Sequence, residues 1–187
     1  MSVQTVKIAG TNEEGFMHIS KIREACRGAT LERFLEIYPV PALYISSLDP
    51  QAASLLEDSG VQESGRPQLL TIAGSTLRPL RYLERVAFLV KRPGNPFPHF
   101  VSLGRSANND VVVALEGVSK LHGYFTCSHQ GWAYTDQGST NGSILNGRRM
   151  KPMQRTPILD RHRLKIGAGL TLQFLLPESL YQLASAP

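Results

Sequence analysis

The residues with chemical capacity fall in three turns between Leu103 and Gly147. The first holds Gly104-Arg105-Ser106 and the second Ser119-Lys120-Leu121-His122. The third runs Asp136-Gln137-Gly138-Ser139-Thr140-Asn141-Gly142, with Asn146-Gly147 just beyond. A guanidinium, an ammonium, two hydroxyls and an amide from separate turns can make one polar, cationic patch if a rigid frame brings the turns to one end. Each residue also has a plainer use: Arg105 as a surface charge, Ser119 as a turn cap, Asn141-Gly142 as a hairpin turn. Ser119, His122 and Asp136 are the residue types of a hydrolase triad, but no nucleophile-elbow sequence surrounds Ser119 and that reading is set aside. The five His are scattered without paired-ligand spacing, and Gly167-Ala168-Gly169 is not a phosphate loop. Neither a metal nor another cofactor is expected, and nor is catalysis.

Charge points to anionic partners. Residues 1–85 hold nine Lys/Arg against ten Asp/Glu, a net of −1, whereas residues 86–187 hold eleven against five, a net of +6. The C-terminal half therefore attracts anions. Nucleic acid, an anionic membrane and phosphorylated protein all qualify, as does plain solubility. Arg148, Arg149, Lys151, Arg155, Arg161, Arg163 and Lys165 cluster in sequence, but an alternating strand splits such residues between faces and no aromatic stacking pattern accompanies them. Nucleic acid is thus the lesser expectation. No apolar run is long enough to span a bilayer, so no membrane partner is expected. Cys26 and Cys127 lack CxxC spacing, and the N-terminus lacks a basic region followed by an apolar stretch. The expected setting is a reducing cytoplasm.

The elements that must position the turns read as short strands. From Val86 onward, Val86–Val90, Phe100–Leu103, Asp110–Val113, Tyr124–Cys127, Trp132–Thr135, Ser143–Leu145, Arg163–Ile166 and Leu170–Phe174 are apolar or alternating runs separated by turn residues. This spacing predicts a mainly β protein, an antiparallel β-sandwich. Asn146-Gly147 is a tight-hairpin signal because both residues tolerate positive φ. Upstream, Val3–Ile8 alternates like a strand. Phe16, Ile19, Ile22 and Cys26, then Leu31, Phe34, Leu35 and Tyr38, recur at helical spacing, with Thr30 as a cap and Pro39 as a stop. Asp49-Pro50 marks another helix start, ended by Gly60. The polar stretch 60–68 is a candidate linker. The division this implies is an N-terminal, mostly helical or α+β extension over 1–80, a β domain over 81–177, and a short tail over 178–187 with one helical turn.

The constellation resembles the forkhead-associated (FHA) domain over about residues 86–177. The residues that carry the likeness are Gly104-Arg105-Ser106, Asn108-Asn109-Asp110, Ser119-Lys120-Leu121-His122, Asp136 through Gly142, Leu145-Asn146-Gly147, Leu159-Asp160 and Ile166-Gly167. Their order is more specific than any one piece. The resemblance implies a sandwich that binds phosphothreonine peptides with loops at one end. By that likeness Arg105 contacts the phosphate or braces its loop, Ser119 donates its hydroxyl to the phosphate, and Lys120 adds charge where Arg is frequent. Thr140 frames the phosphate pocket and Asn141 bonds the peptide backbone. Gly104, His122, Gly142, Asn146 and Gly147 would be architectural.

The implied partner is a phosphothreonine-containing protein, a Ser/Thr kinase or its substrate, in phosphorylation-dependent signalling. A scaffold or oligomerisation protein of the same fold that ignores phosphate is the alternative. Thr5, followed three residues later by Ile8, and Thr11, followed by Glu14, would let a phosphorylated N-terminus dock on its own or a neighbour's domain.

Overall fold

The computed structural model describes residues 8–48, 82–93, 95, 97–167 and 169–186. Most of the expected strand Val3–Ile8, the helix start at Asp49-Pro50, its end at Gly60 and the break at 60–68 lie outside these residues. The described elements are β1 Phe16–His18, α1 Ile19–Cys26, α2 Leu31–Ile37, β2 Ala42–Leu48, β3 Arg85–Phe88, β4 Val101–Gly104, β5 Val111–Val112, β6 Gly123–Ser128, β7 Gly131–Asp136, β8 Ser143–Leu145, β9 Arg148–Arg149, β10 Thr156–Pro157, β11 Arg163–Ile166, β12 Leu170–Leu175 and α3 Pro177–Ser185.

Two sheets face each other. One runs β1-β3-β2-β12-β11-β8-β9 and the other β10-β7-β6-β4-β5. Pairing is antiparallel as expected, except that β4 and β5 run parallel through Leu103↔Val111 and Gly104↔Val112. The exception follows from chain direction: β4 passes through the Arg105 loop and returns beside itself instead of folding back as a hairpin. Leu43, Ile45, Ala87, Leu103, Phe125, Tyr134, Leu164, Ile166, Leu172 and Phe174 fill the space between the sheets.

A third layer lies on the other face of the larger sheet. Ile19, Ile22 and Cys26 of α1, Phe34 of α2, and Leu180 and Ala184 of α3 pack there with Ala42, Val86, Phe88 and Leu175. β3 is therefore apolar without alternation, since Ala87 points into the sandwich while Val86 and Phe88 point at the helices. Thr30 caps α2 as expected, accepting the Arg33 N–H at 3.3 Å.

Four sequence expectations are modified. Phe16 does not open the first helix; it belongs to β1, and α1 begins after His18, whose Nδ1 accepts the Ser20 N–H at 3.2 Å. Leu31 is exposed, because α2 is only two turns long and presents a narrow face through Phe34. The segment after Pro177 forms a nine-residue helix instead of one turn, held by burial of Leu180 and Ala184. Finally, β2 comes from within residues 1–80 yet sits inside the larger sheet. It pairs Ala42–Ile45 with β3 and Ala42–Leu48 with β12.

Candidate functional site

The three polar turns meet through backbone hydrogen bonds. The Arg105 N–H donates to the Ser119 carbonyl at 2.9 Å and the Ser106 N–H to the Lys120 carbonyl at 3.2 Å, so the loop after β4 is zipped to the turn before β6. Asn109, buried, reinforces the junction: its amide donates to the Ser106 and Lys120 carbonyls at 2.8 and 2.7 Å. Gly104 permits this approach, because a Cβ there would meet the Lys120 carbonyl oxygen at 2.3 Å. The third turn is tied to the second from the other side. The Thr140 N–H donates to Ser119 Oγ at 3.0 Å, the Thr140 and Ser119 hydroxyls lie 3.3 Å apart, and Asn141 Nδ2 donates to the Gly117 carbonyl at 2.8 Å.

Beneath the turns lies a buried frame. Asp136 accepts the Ser139 N–H at 2.8 Å and the Ser139 hydroxyl at 2.7 Å, and it also accepts the Ser143 hydroxyl. Burial by itself would raise the carboxyl's pKa, but these hydrogen bonds and the neighbouring His122 outweigh it and hold the group below its usual range. His122 is fully buried, and its Nδ1 accepts the Ser119 N–H at 3.2 Å. Burial lowers the imidazole's pKa, although Asp136, with Oδ2 3.9 Å from Nε2, pulls the other way. An Nδ1 that accepts cannot carry a proton, so the ring is neutral with its proton on Nε2. Ser119 Oγ faces Thr140 and not the imidazole, so these three residues do not form a nucleophilic triad.

Of the residues singled out in the sequence, Arg105, Ser119, Thr140 and Asn141 are brought together. The Arg105 side chain is exposed, and its Nε donates to the Val118 carbonyl at 3.2 Å, with no hydrogen bond of its terminal amino groups among the described residues. Ser119 Oγ accepts from the Thr140 N–H and shares a hydrogen bond with the Thr140 hydroxyl, in which either oxygen can donate. Lys120 joins through its carbonyl, and its ammonium is exposed. Asn141 and Gly142 sit in the turn, the latter at φ 73°. Asn146 and Gly147, at φ 48° and 80°, form the expected hairpin between β8 and β9, and the Asn146 side chain accepts the Arg163 N–H at 2.8 Å.

Sequence reasoning missed two parts. Arg149 lies against the third turn: its Nη2 donates to the Asn141 carbonyl at 3.4 Å, and a Cβ on Gly142 would meet its guanidinium at 2.8 Å. It stood out only as one of seven clustered cations, because the two-residue strand that aims it has no pattern of its own. Lys91 and Asp110 form a buried ion pair at 2.7 Å behind the first turn. Asp110 also accepts the Arg92 and Ser102 N–H groups, each at 2.8 Å, and Lys91 donates to the Phe100 carbonyl at 3.0 Å.

Among the described residues no group of His, Cys, Asp and Glu could hold a metal ion, and both cysteines are free. No described helix is long and apolar enough to cross a membrane. Thr5 lies outside the described residues. Thr11 is held in a turn, its hydroxyl donating to the Ile8 carbonyl at 3.4 Å, and the Glu14 carbonyl accepts the Val112 N–H at 3.2 Å.

Comparison with known proteins bears on residues 101–167, which match the family model of the FHA domain. No curated protein sequence matches the chain. Among solved structures, the chain is similar to the FHA domain of an Arabidopsis thaliana hypothetical protein, at 23% identity and a TM-score of 0.40. That match covers 41% of this chain and 66% of the other, just under two thirds of its length. It is also similar to the MEK1 FHA domain in complex with a HOP1 phosphothreonine peptide, at 20% identity, 49% and 87% coverage and a TM-score of 0.39. A third similar structure, an engineered FHA with a Myc-pTBD peptide, has 13% identity, 77% and 96% coverage and a TM-score of 0.46.

Proposed function

We propose, with residues 101–167 as an FHA domain, that this chain is a phosphothreonine-peptide-binding module for phosphorylation-dependent contact between proteins. Its partner on this reading is a Ser/Thr kinase or a kinase substrate. The observation that carries the proposal is the junction of Arg105, Ser119 and Thr140 by the bonds described above, with Arg105 and Thr140 exposed and no carboxylate paired to them among the described residues. None of the ion pairs among the described residues involves Arg105 or Lys120. Asp136, the acidic group of the third turn, is buried beneath it and satisfied by two serines.

A phosphothreonine carries about −1.5 to −2 charges and three acceptor oxygens near neutral pH. In this reading the Arg105 amino groups and the Ser119 hydroxyl donate to it, Thr140 frames it, Lys120 adds field, and Asn141 meets the peptide backbone. Charge-assisted hydrogen bonds contribute about 1.5–3 kcal/mol each. Three of them supply most of the roughly 8 kcal/mol of a micromolar complex. The frame is set before the ligand arrives, so little ordering cost opposes binding.

One observation favours a phosphate-independent scaffold instead: the Asn141 amide and Arg105 Nε are already committed to internal carbonyls. An oriented library of phosphorylated and unphosphorylated peptides separates the two readings. The phosphorylated library should be retained by the wild type and lost by Arg105→Ala. Equal retention of both libraries would support the scaffold and overturn the phosphothreonine reading. Self-docking is best tested on Thr5, since docking Thr11 in an extended form requires its turn to open. Intact mass after incubation with a Ser/Thr kinase should show one added phosphate that Thr5→Ala removes. A chain that carries no phosphate on either Thr5 or Thr11 would end that idea.

A further inference from the structure

Among the described residues, the outer face of the larger sheet is covered over only part of its width. The layer of α1, α2 and α3 rests on β1, β3, β2 and the end of β12, and it takes nothing from β8, β9 or β11. On that uncovered part the register gathers cations. Arg149 stands opposite Ile144, Ile144 opposite Lys165, and Lys165 opposite Thr171. Arg163, two residues before Lys165, starts a parallel row opposite Gln173. These side chains point away from the sandwich, since the intervening Leu145, Leu164, Ile166 and Leu172 lie in its core. Alternation does split the basic cluster, because Arg148 stands opposite Leu145 and belongs to the other face. Three cations nevertheless share the outer face, and no Asp or Glu occurs on β8, β9, β11 or β12. Asp160, the single acid between Asn141 and Leu175, turns to α3, where it accepts the Leu176 N–H at 2.8 Å and the Ser179 hydroxyl at 2.6 Å. No ion pair among the described residues involves Arg149 or Arg163.

We propose that this face is a second binding surface, for the phosphate backbone of double-stranded nucleic acid, and that it works independently of the phosphothreonine reading. Neighbouring strands lie about 4.8 Å apart, and like-facing residues about 6.7 Å apart along a strand. Arg149, Arg163 and Lys165 therefore form a triangle with sides of about 7 to 12 Å. Long stems at its corners can follow the phosphates of a duplex, which carries one charge per ~1.7 Å of its axis. Thr171 sets a hydroxyl beside Lys165, a further donor to a phosphate oxygen. The face suits a backbone better than bases or lipid. The large apolar side chains exposed on the described residues, Phe97 among them, all lie outside β8, β9, β11 and β12. Stacking on bases and insertion into a bilayer both need such groups. Arg149 stands at the margin, where it meets Asn141 of the third turn. Arg163 opens β11 at the end away from the polar turns, since Gly167, just past the other end, packs on Gly117 and Val118.

The test titrates the full chain into a labelled mixed-sequence DNA duplex and follows anisotropy as salt is raised. Three phosphate contacts give a slope of about −2.7 in log affinity against log salt, so affinity should fall roughly fortyfold between about 50 and 200 mM. Arg163→Gln should lower the slope by about one and reduce that fall to roughly twelvefold. A duplex of scrambled sequence should bind equally well. Arg27→Gln removes an exposed cation at the end of α1, on the helical side, and should leave the slope as it is. Thermal melts of both variants check that the fold persists. Arg163→Gln should keep phosphopeptide binding, and Ser119→Ala should keep duplex binding, so the two readings stand or fall separately. No duplex binding at the lower salt would overturn the surface, as would a slope that Arg163→Gln leaves unchanged. An equal loss in Arg27→Gln would show that total charge binds instead of this face, and would overturn it too. Vesicles of phosphatidylcholine and phosphatidylserine that hold the wild type but not Arg163→Gln, when the duplex binds neither, would assign the face to membrane and overturn the nucleic-acid proposal.

Discussion

Single atoms decide whether the three turns can meet. Gly104 is the sharpest case. Its φ is not the constraint; the space is, with the Lys120 carbonyl oxygen 2.3 Å and the Asn109 amide 2.9 Å from where a Cβ would stand. The backbone at Lys120 and Leu121 must move to admit a methyl group, and Gly104→Ala should cost about 3 kcal/mol, the upper end for overpacking. Gly147 is the contrasting case. At φ 80° with nothing within 4 Å of its notional Cβ, Gly147→Ala should cost only the left-handed penalty of about 1–2 kcal/mol. Urea unfolding of the two variants checks the order, and equal losses would mean that the first two turns are not closely docked. Ser119→Ala is a test of binding more than of stability. It removes the acceptor of the exposed Thr140 N–H and the hydroxyl offered to phosphate. Stability should change by less than about 1 kcal/mol, because water can replace the acceptor. Phosphopeptide affinity should fall about tenfold or more, the equivalent of one charge-assisted bond. An affinity unchanged by Ser119→Ala would remove that residue from the site.

At the scale of elements, the frame under the turns makes the site sensitive to acid. His122 has its pKa lowered from 6.5 and Asp136 from 3.8. For both, the unfolded chain takes up a proton at a pH where the folded chain does not. Stability from His122 is therefore complete above about pH 6.5 and declines as pH falls below it. The Asp136 contribution is lost in turn below the ordinary carboxylate value. Protonating Nδ1 in the folded chain also breaks its bond from the Ser119 N–H, so binding by the folded chain should weaken only at lower pH, once the depressed pKa of the buried imidazole is reached. A His122→Gln variant keeps a carbonyl acceptor and cannot titrate. Its urea midpoint should vary less between pH 5 and 7 than that of the wild type, and parallel slopes would show that His122 is not the sensor. This frame was only partly legible in the sequence. The strands and the Asn146-Gly147 hairpin announce themselves because alternation and positive-φ residues are local signals. The ordered set of polar turns announces the loops. What cannot be read is which buried group satisfies which: Ser143 reaching Asp136, or Lys91 crossing to Asp110, are tertiary choices without a sequence period. Arg149 escaped for the same reason, since a two-residue edge strand is too short to show which way its side chain points.

On the whole-molecule scale, the question is whether residues 81–177 stand alone, as the sequence pattern suggests. β2 argues against it. It is inserted between β3 and β12, with four residue pairs to the first and six to the second, and it contributes Leu43 and Ile45 to the sandwich core. Without it, β3 and β12 would face water along unpaired edges and the core would lose two fully buried side chains. The α1 and α2 layer would also leave Val86, Phe88 and Leu175 uncovered. The N-terminal strap is tied down a third time, where Arg92 reaches the Glu13 carbonyl and the Val112 N–H donates to Glu14 behind the first polar turn. The helical signals upstream were legible, but a single strand between them carries no sign of which sheet it will join. A fragment starting at residue 81 should therefore fail to fold cooperatively, showing no sigmoidal melt and no phosphopeptide binding, whereas residues 8–187 should do both. Adding a separately produced 8–48 fragment should restore some folded signal, because β2 needs only its partner strands and not covalent continuity. A fragment from 81 onward that melts cooperatively by itself would show that the strand decorates the sandwich instead of completing it.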